Sequence, residues 1–216
     1  MERILVFGTH PDDAEIGAGG TIASFARRGY PVLIVNFRIP AGNGDASEAE
    51  RERRRKEGER AAGILGAQLC SFGLRREEIR PDARLVGTLD RLLQEFRPTQ
   101  VYTHWVGDSH PEHVATTRAV LAATRRNSCS VYMYEATIPG GITERAFRPQ
   151  RFVDISDTIE CKIRSLESYE TQLEVYGPGW IAAVRGRAAE RGFQVGCAYA
   201  EAFEVVKEIV RPEPRA

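Results

Sequence analysis

Three of the chain's four histidines fall in two short acid-rich segments. His10-Pro11-Asp12-Asp13 lies near the start, and Asp108-Ser109-His110-Pro111-Glu112-His113 lies in the middle. Imidazoles and carboxylates are donors for a divalent metal. Two imidazoles and one carboxylate with an open fourth position form a known catalytic zinc arrangement, which lowers the pKa of bound water to about 7. Adjacent aspartates allow one to hold the metal while its neighbour takes a proton. His110 and His113, three residues apart, share a face if they open a helix. One can then be a ligand while the other polarises a substrate carbonyl or steadies an oxyanion. Each segment alone has a plainer reading. HPDD suits a proline turn with an aspartate cap, and HPEH suits a helix start with solvated histidines.

Topology is what joins the two segments. β-rich runs at Arg3–Gly8, Val32–Phe37, Gln68–Phe72, Gln100–Trp105 and Ser130–Thr137 alternate with helical patterns. The helices are expected at Gly19–Gly29, Glu48–Leu65, Asp82–Phe96 and His113–Arg126. This alternation predicts a single-domain α/β fold with a Rossmann-like, doubly wound, mostly parallel sheet. Such sheets bind ligands beyond the carboxyl ends of the strands, where strand order reverses between the first and fourth strands. The loops expected there, Thr9–Glu15 and Val106–Glu112, carry the two segments to one crevice. His104 closes the fourth strand and reads as packing or support. Beyond the Rossmann-like core, 1–137, residues 138–216 are less regular and are expected to complete the pocket. They offer a strand near Arg151–Ile155, helices near Asp157–Val175 and Trp180–Arg191, and a strand-like run at Ala202–Val210.

The 216 residues carry 30 basic and 30 acidic side chains and are 42% hydrophobic, which argues against a nucleic-acid binder or a disordered chain. No stretch has the apolar length of a membrane span, and the N-terminus lacks the regions of a signal peptide. Cys70, Cys129, Cys161 and Cys197 are scattered and read as reduced packing residues, with the cytoplasm as the expected address. Gly17-Ala18-Gly19-Gly20 is a competitor as a dinucleotide loop. It lacks the third glycine at the required offset and reads better as close backbone packing.

The segments GTHPDDAEIGAGGTIA, RRKEGERAAGILG, DSHPEH and GCAYAEAF together resemble the LmbE-like, PIG-L family of zinc-dependent N-acetylglucosaminyl deacetylases. The resemblance implies His10, Asp13 and His113 as metal ligands, Asp12 as general base and His110, when protonated, as stabiliser of the tetrahedral intermediate. It implies zinc as cofactor, with Fe2+ or Co2+ as possible substitutes. Arg54 matches a substrate-binding arginine, with Arg53 as the register alternative, and Tyr199 matches a tyrosine that approaches the active site in some members. Glu15, one residue beyond Ala14, fits the HPDDxE subgroup related to bacillithiol-pathway enzymes. Asp108 departs from relatives that carry a mobile tyrosine there. The implied substrate is a small N-acetyl amino sugar or glycoside, and the implied assembly a homo-oligomer, trimer or hexamer. Two other readings stay open: an amidase of a larger sugar-thiol or antibiotic-precursor conjugate, and a non-catalytic sugar- or nucleotide-binding module.

Overall fold

Short β-branched runs become strands and Gly- or acid-capped amphipathic runs become helices. The computed structural model describes residues 1–39, 47–135, 139–140, 143 and 145–210. In chain order the elements are β1 (Ile4–Gly8), α1 (Asp13–Arg27), β2 (Val32–Asn36), α2 (Glu48–Leu65), β3 (Gln68–Ser71), α3 (Ala83–Phe96), β4 (Gln100–His104) and α4 (Pro111–Thr124). They continue with β5 (Ser130–Tyr134), β6 (Arg151–Asp154), α5 (Ile159–Glu167), α6 (Glu170–Tyr176), α7 (Gly179–Val195) and β7 (Ala200–Lys207). A single 3-10 turn, Arg76–Glu78, precedes α3.

The helix ends have local causes. Ser47 accepts the Glu50 amide to start α2, and Gly66, at φ 74°, ends it in a left-handed turn that glycine adopts without a Cβ clash. Asp82 accepts the Leu85 amide at the start of α3. Pro111 occupies the first turn of α4, where its missing N–H costs nothing.

The seven strands form one sheet in the order β3-β2-β1-β4-β5-β7-β6. The first five are parallel, and β7 runs antiparallel to both of its neighbours. Both faces are covered, so strand residues are buried in alternation on two sides. Ile4 and Val6 of β1 pack towards α1 and α2 with Ile22, Phe25 and Leu65. Leu5 and Phe7 pack towards α3 and α4 with Leu85, Leu89, Leu93 and Val120. The strand order reverses between β1 and β4, as the sequence pattern predicts, and the following loops lie at the same sheet end.

Two elements differ from expectation. α1 begins at Asp13 rather than Gly19, because the chain turns helical directly after Asp12 and then kinks at Ala18 (φ −144°, ψ 16°). The single helix expected over Asp157–Val175 is two, α5 and α6. Between them Tyr169 turns inward, and its hydroxyl donates to Glu15 Oε1 at 2.9 Å. Buried Glu57 of α2 then accepts the Thr171 amide and hydroxyl at 3.1 and 2.6 Å in the first turn of α6. Residues 40–46, between β2 and α2, and the end of the expected fifth strand at Ala136–Thr137 lie outside the described residues. Among the described residues no helix is long and apolar enough to cross a membrane.

Candidate active site

The β1–α1 turn and the start of α4 bring His10, Asp13 and His113 together. His10 Nδ1 lies 3.3 Å from His113 Nε2. Asp13 Oδ2 is 3.5 Å from His10 Nδ1, and Asp13 Oδ1 is 3.4 Å from His113 Nε2. Ligands at tetrahedral angles with metal bonds of about 2.1 Å stand roughly 3.4 Å apart, so each pair has that spacing, with Asp13 meeting His10 through Oδ2 and His113 through Oδ1. Donor groups able to hold an ion include His10, His110 and His113, and also Asp13, His104 and His113.

The imidazoles are oriented by carboxylates. His113 Nδ1 lies 3.0 Å from Asp108 Oδ2, and His10 Nε2 lies 3.0 Å from Glu112 Oε2. Glu112 is itself held by Arg38 Nη1 at 3.0 Å and Arg76 Nε at 3.1 Å. Such outer partners fix which ring nitrogen faces a metal. Burial opposes a charge on His10, but the hydrogen bonds and charges of Asp13 and Glu112 outweigh it and raise its pKa to about 9. Burial also opposes ionisation of Asp13, yet His113, His104 and His10 hold it well below the usual range.

Asp12 is buried and left-handed, at φ 101°, a conformation rare for a residue with a Cβ. Burial and the charge of Asp13 push its carboxyl well up, against the pull of His10 and Arg54. A proton acceptor with a raised pKa is suited to taking a proton from water near neutral pH. His110 stacks on His113 with ring centroids 4.2 Å apart, and its Nδ1 accepts the Glu112 amide at 3.2 Å. Its pKa is lowered, chiefly by burial and then by His113. A neutral imidazole that accepts at Nδ1 carries its proton at Nε2, so His110 has a donor without being charged.

The expected substrate residues separate. Arg53 reaches outward to Glu170 and Glu174, at 3.4 and 2.6 Å. Arg54 instead exerts its charge on Asp12, and its buried Nε has no hydrogen-bond partner. Tyr199 packs beside Ile155, Ile159, Ile163 and Ala188, away from the histidines. The structure therefore does not bring Tyr199 to the cluster. Tyr176, at the end of α6, feels the charge of Asp12, which together with burial raises its pKa. Trp180 is buried against Ile16, Ala61 and Leu166 as core.

Sequence spacing missed Glu112 and Asp108 as supports of the ring nitrogens, although both lie inside the DSHPEH segment. It also missed Thr9, whose amide donates to His104 Nε2 at 3.0 Å and whose hydroxyl donates to Thr116 at 2.8 Å. His104 lies 3.3 Å from Asp13 Oδ2 and stacks on His113 at 4.0 Å, so it buttresses the cluster from below.

The chain is similar to known proteins over most of its length. The chain is 26% identical over 88% of its length to a 1D-myo-inositol 2-acetamido-2-deoxy-alpha-D-glucopyranoside deacetylase of Mycobacterium sp. (strain KMS), 80% of which is covered. It is 28% identical over 97% of its length to a diacetylchitobiose deacetylase of Thermococcus kodakarensis, with 85% of that protein covered. A 4-oxalmesaconate hydratase of Pseudomonas putida is also similar, at 27% identity over 95% of this chain and 90% of the relative. Among solved structures, the conserved protein TT1542 from Thermus thermophilus superposes with a TM-score of 0.83 at 26% identity, covering all of both chains. The family model for GlcNAc-PI de-N-acetylase (PIG-L) matches residues 5–124. That span runs from β1 through α4 and so includes both halves of the His–Asp cluster; the chain belongs to the PIG-L deacetylase family.

Proposed function

We propose that this chain is a zinc-dependent hydrolase that removes the acetyl group from an N-acetylated amino sugar or glycoside. The observation that carries the reading is the cluster of His10, Asp13 and His113, with pairwise contacts of 3.3–3.5 Å through the two Asp13 oxygens, next in sequence to Asp12 with its strained backbone. His10, Asp13 and His113 would hold the ion, with Glu112 and Asp108 aiming the two rings. When bound, the ion supplies Lewis acidity and lowers the pKa of water.

The chain's own groups supply the rest. The Asp12 carboxylate accepts a proton from the attacking water at one of its oxygens. His110 Nε2–H donates to the amide oxygen as negative charge gathers there. Protonated Asp12 then returns its proton to the departing amine nitrogen. Arg54 and Tyr176, each electrostatically coupled to Asp12, would hold hydroxyl or acidic groups of the sugar conjugate. A homo-oligomer in the cytoplasm, with 1–137 as core and 138–216 as the supporting part, accords with this reading.

The test is metal content by elemental analysis, with acetate release from N-acetylglucosamine and N-acetylglucosaminyl-malate followed before and after chelation. About one zinc per chain and chelator-sensitive release are expected. Asp12→Ala should keep its metal and lose most turnover, and near-normal turnover would remove the base assignment. Binding of sugar unaffected by chelator, without release, would favour a non-catalytic module.

A second reading is favoured by the match to the hydratase, which spans 95% of this chain. A metal with an adjacent carboxylate can equally activate water for addition to a conjugated double bond. Loss of ultraviolet absorbance from an unsaturated oxo-dicarboxylate, without acetate release from any N-acetyl sugar, would select it.

A further inference from the structure

The kink in α1 leaves backbone groups that an unbroken helix would pair. There the Ile16 carbonyl would accept the Gly20 amide, and the Gly17 carbonyl would accept the Thr21 amide. Glu201 of β7 accepts both amides, Gly20 N to Oε1 at 2.9 Å and Thr21 N to Oε2 at 2.8 Å. Lys162 of α5 donates from Nζ to the Ile16 carbonyl at 2.7 Å and to Glu201 Oε1. Both side chains are only 3% exposed. The glycines let them in. A Cβ on Gly19 would stand 3.0 Å from Lys162 Cγ, and one on Gly20 would stand 2.7 Å from Ile155.

A buried ion pair is weak evidence for stability, because desolvation offsets much of its attraction. This pair does something that apolar residues cannot, since it satisfies three backbone groups at a break in a helix. Its reach extends to the reacting end of α1. Ile16, whose carbonyl Lys162 holds, donates its own amide to the Asp12 carbonyl at 2.8 Å. A continuous path of hydrogen bonds thus runs from Glu201 through Lys162 and Ile16 to Asp12, the residue held at φ 101°. Strained backbone persists only where its surroundings over-determine it.

We propose that Lys162 and Glu201 are positioning residues for the Asp12–Asp13 pair. They fix the α1 kink, so that the first turn of α1 is aimed independently of the rest of the helix. This gives the acidic residue of the YAEAF segment a task in the site that requires no contact with substrate. The proposal rests on the metal-hydrolase reading for its turnover readout, and on metal binding alone for its second readout.

The experiment compares Lys162→Met and Glu201→Gln with Leu89→Ala, a core change on the far face of the sheet that lowers stability without touching α1. Zinc affinity is measured by competition with a chromogenic chelator. kcat and KM for acetate release are measured at saturating zinc, with Tm alongside. Loss of a support for metal ligands typically costs 10–100-fold. Both α1-bridge variants are therefore expected to bind zinc at least about tenfold more weakly. Their kcat should fall about tenfold or more, with KM little changed. Leu89→Ala should lower Tm and leave both properties within about twofold. The proposal is overturned if folded Lys162→Met keeps wild-type zinc affinity and kcat, or if Leu89→Ala impairs them equally. Glu201→Gln keeps the side-chain volume and one acceptor oxygen, and it decides the matter if Lys162→Met does not fold. If wild-type protein binds zinc but releases no acetate, the hydrolase reading fails, and the affinity comparison still decides the role of the bridge.

Discussion

His113 Nδ1 lies 3.0 Å from Asp108 Oδ2, which leaves Nε2 facing Asp13 and His10. Asp108 also accepts the His110 amide, at 2.9 Å, so one carboxylate fixes both histidines of the α4 start. Asp108→Ala is expected to weaken metal binding by about 10–100-fold, and Asp108→Asn by less, because an amide oxygen still accepts from Nδ1–H. Metal titration with a competing chelator checks this. Unchanged affinity in Asp108→Ala would show that the ring is held by packing alone.

His10 has a pKa raised to about 9, with burial opposing and Asp13 and Glu112 driving the rise. A ligand imidazole must be neutral, so metal uptake below that pH releases a proton. Affinity should strengthen as pH rises towards 9, by up to tenfold per unit, and Glu112→Gln should flatten the slope. Calorimetry of metal binding in two buffers of different ionisation enthalpy reads the proton directly.

The same shift sets a sign for stability in the metal-free protein. Folded His10 is protonated where the unfolded residue, with its ordinary 6.5, is not. Its contribution is fully present below 6.5 and fades as pH climbs through about 9. Tm measured with chelator should therefore fall across that window more steeply in wild type than in His10→Gln.

Asp12 at φ 101° carries backbone strain that glycine would not. Asp12→Gly is expected to stabilise the fold by about 1 kcal/mol, a Tm rise of roughly 2–4 °C for a chain of this size, while abolishing turnover. A Tm below wild type in the metal-free state would show that the carboxylate's contacts outweigh the strain.

Gly17 is pressed against Tyr134, where a Cβ would stand 2.2 Å from the ring. That ring is pinned by its hydroxyl, which donates to the Phe7 carbonyl at 2.7 Å. Gly17→Ala should cost about 1–3 kcal/mol or more by overpacking. Gly63→Ala, in open space on α2, should cost nothing and gain up to about 1 kcal/mol in helix propensity. Denaturant unfolding of the two variants gives the comparison.

The inventory of elements and the meeting place of the two loops were legible in the residue pattern. Short continuous apolar runs and period-3.6 apolar patterns separate strand from helix locally, because a strand buried on both faces and a helix with one apolar stripe leave different residue spacings. From β1 to α4 the alternation then leaves few topologies, and in the prevailing one the HPDD and HPEH loops share a sheet end. Which atoms touch was settled only in the folded chain. His10 is aimed by Glu112, 102 residues away, and the α1 kink is bridged by Glu201, 181 residues from Gly20. No spacing encodes such pairs, since they depend on the rotation of whole elements about the sheet. The same rotation turns Arg54 inward and Arg53 outward on one helix, and it packs Tyr199 beside Ile155, Ile159, Ile163 and Ala188. The early start of α1 was hidden for a related reason. The partners of the backbone groups at its kink, Lys162 and Glu201, lie far along the chain from the GAGG segment.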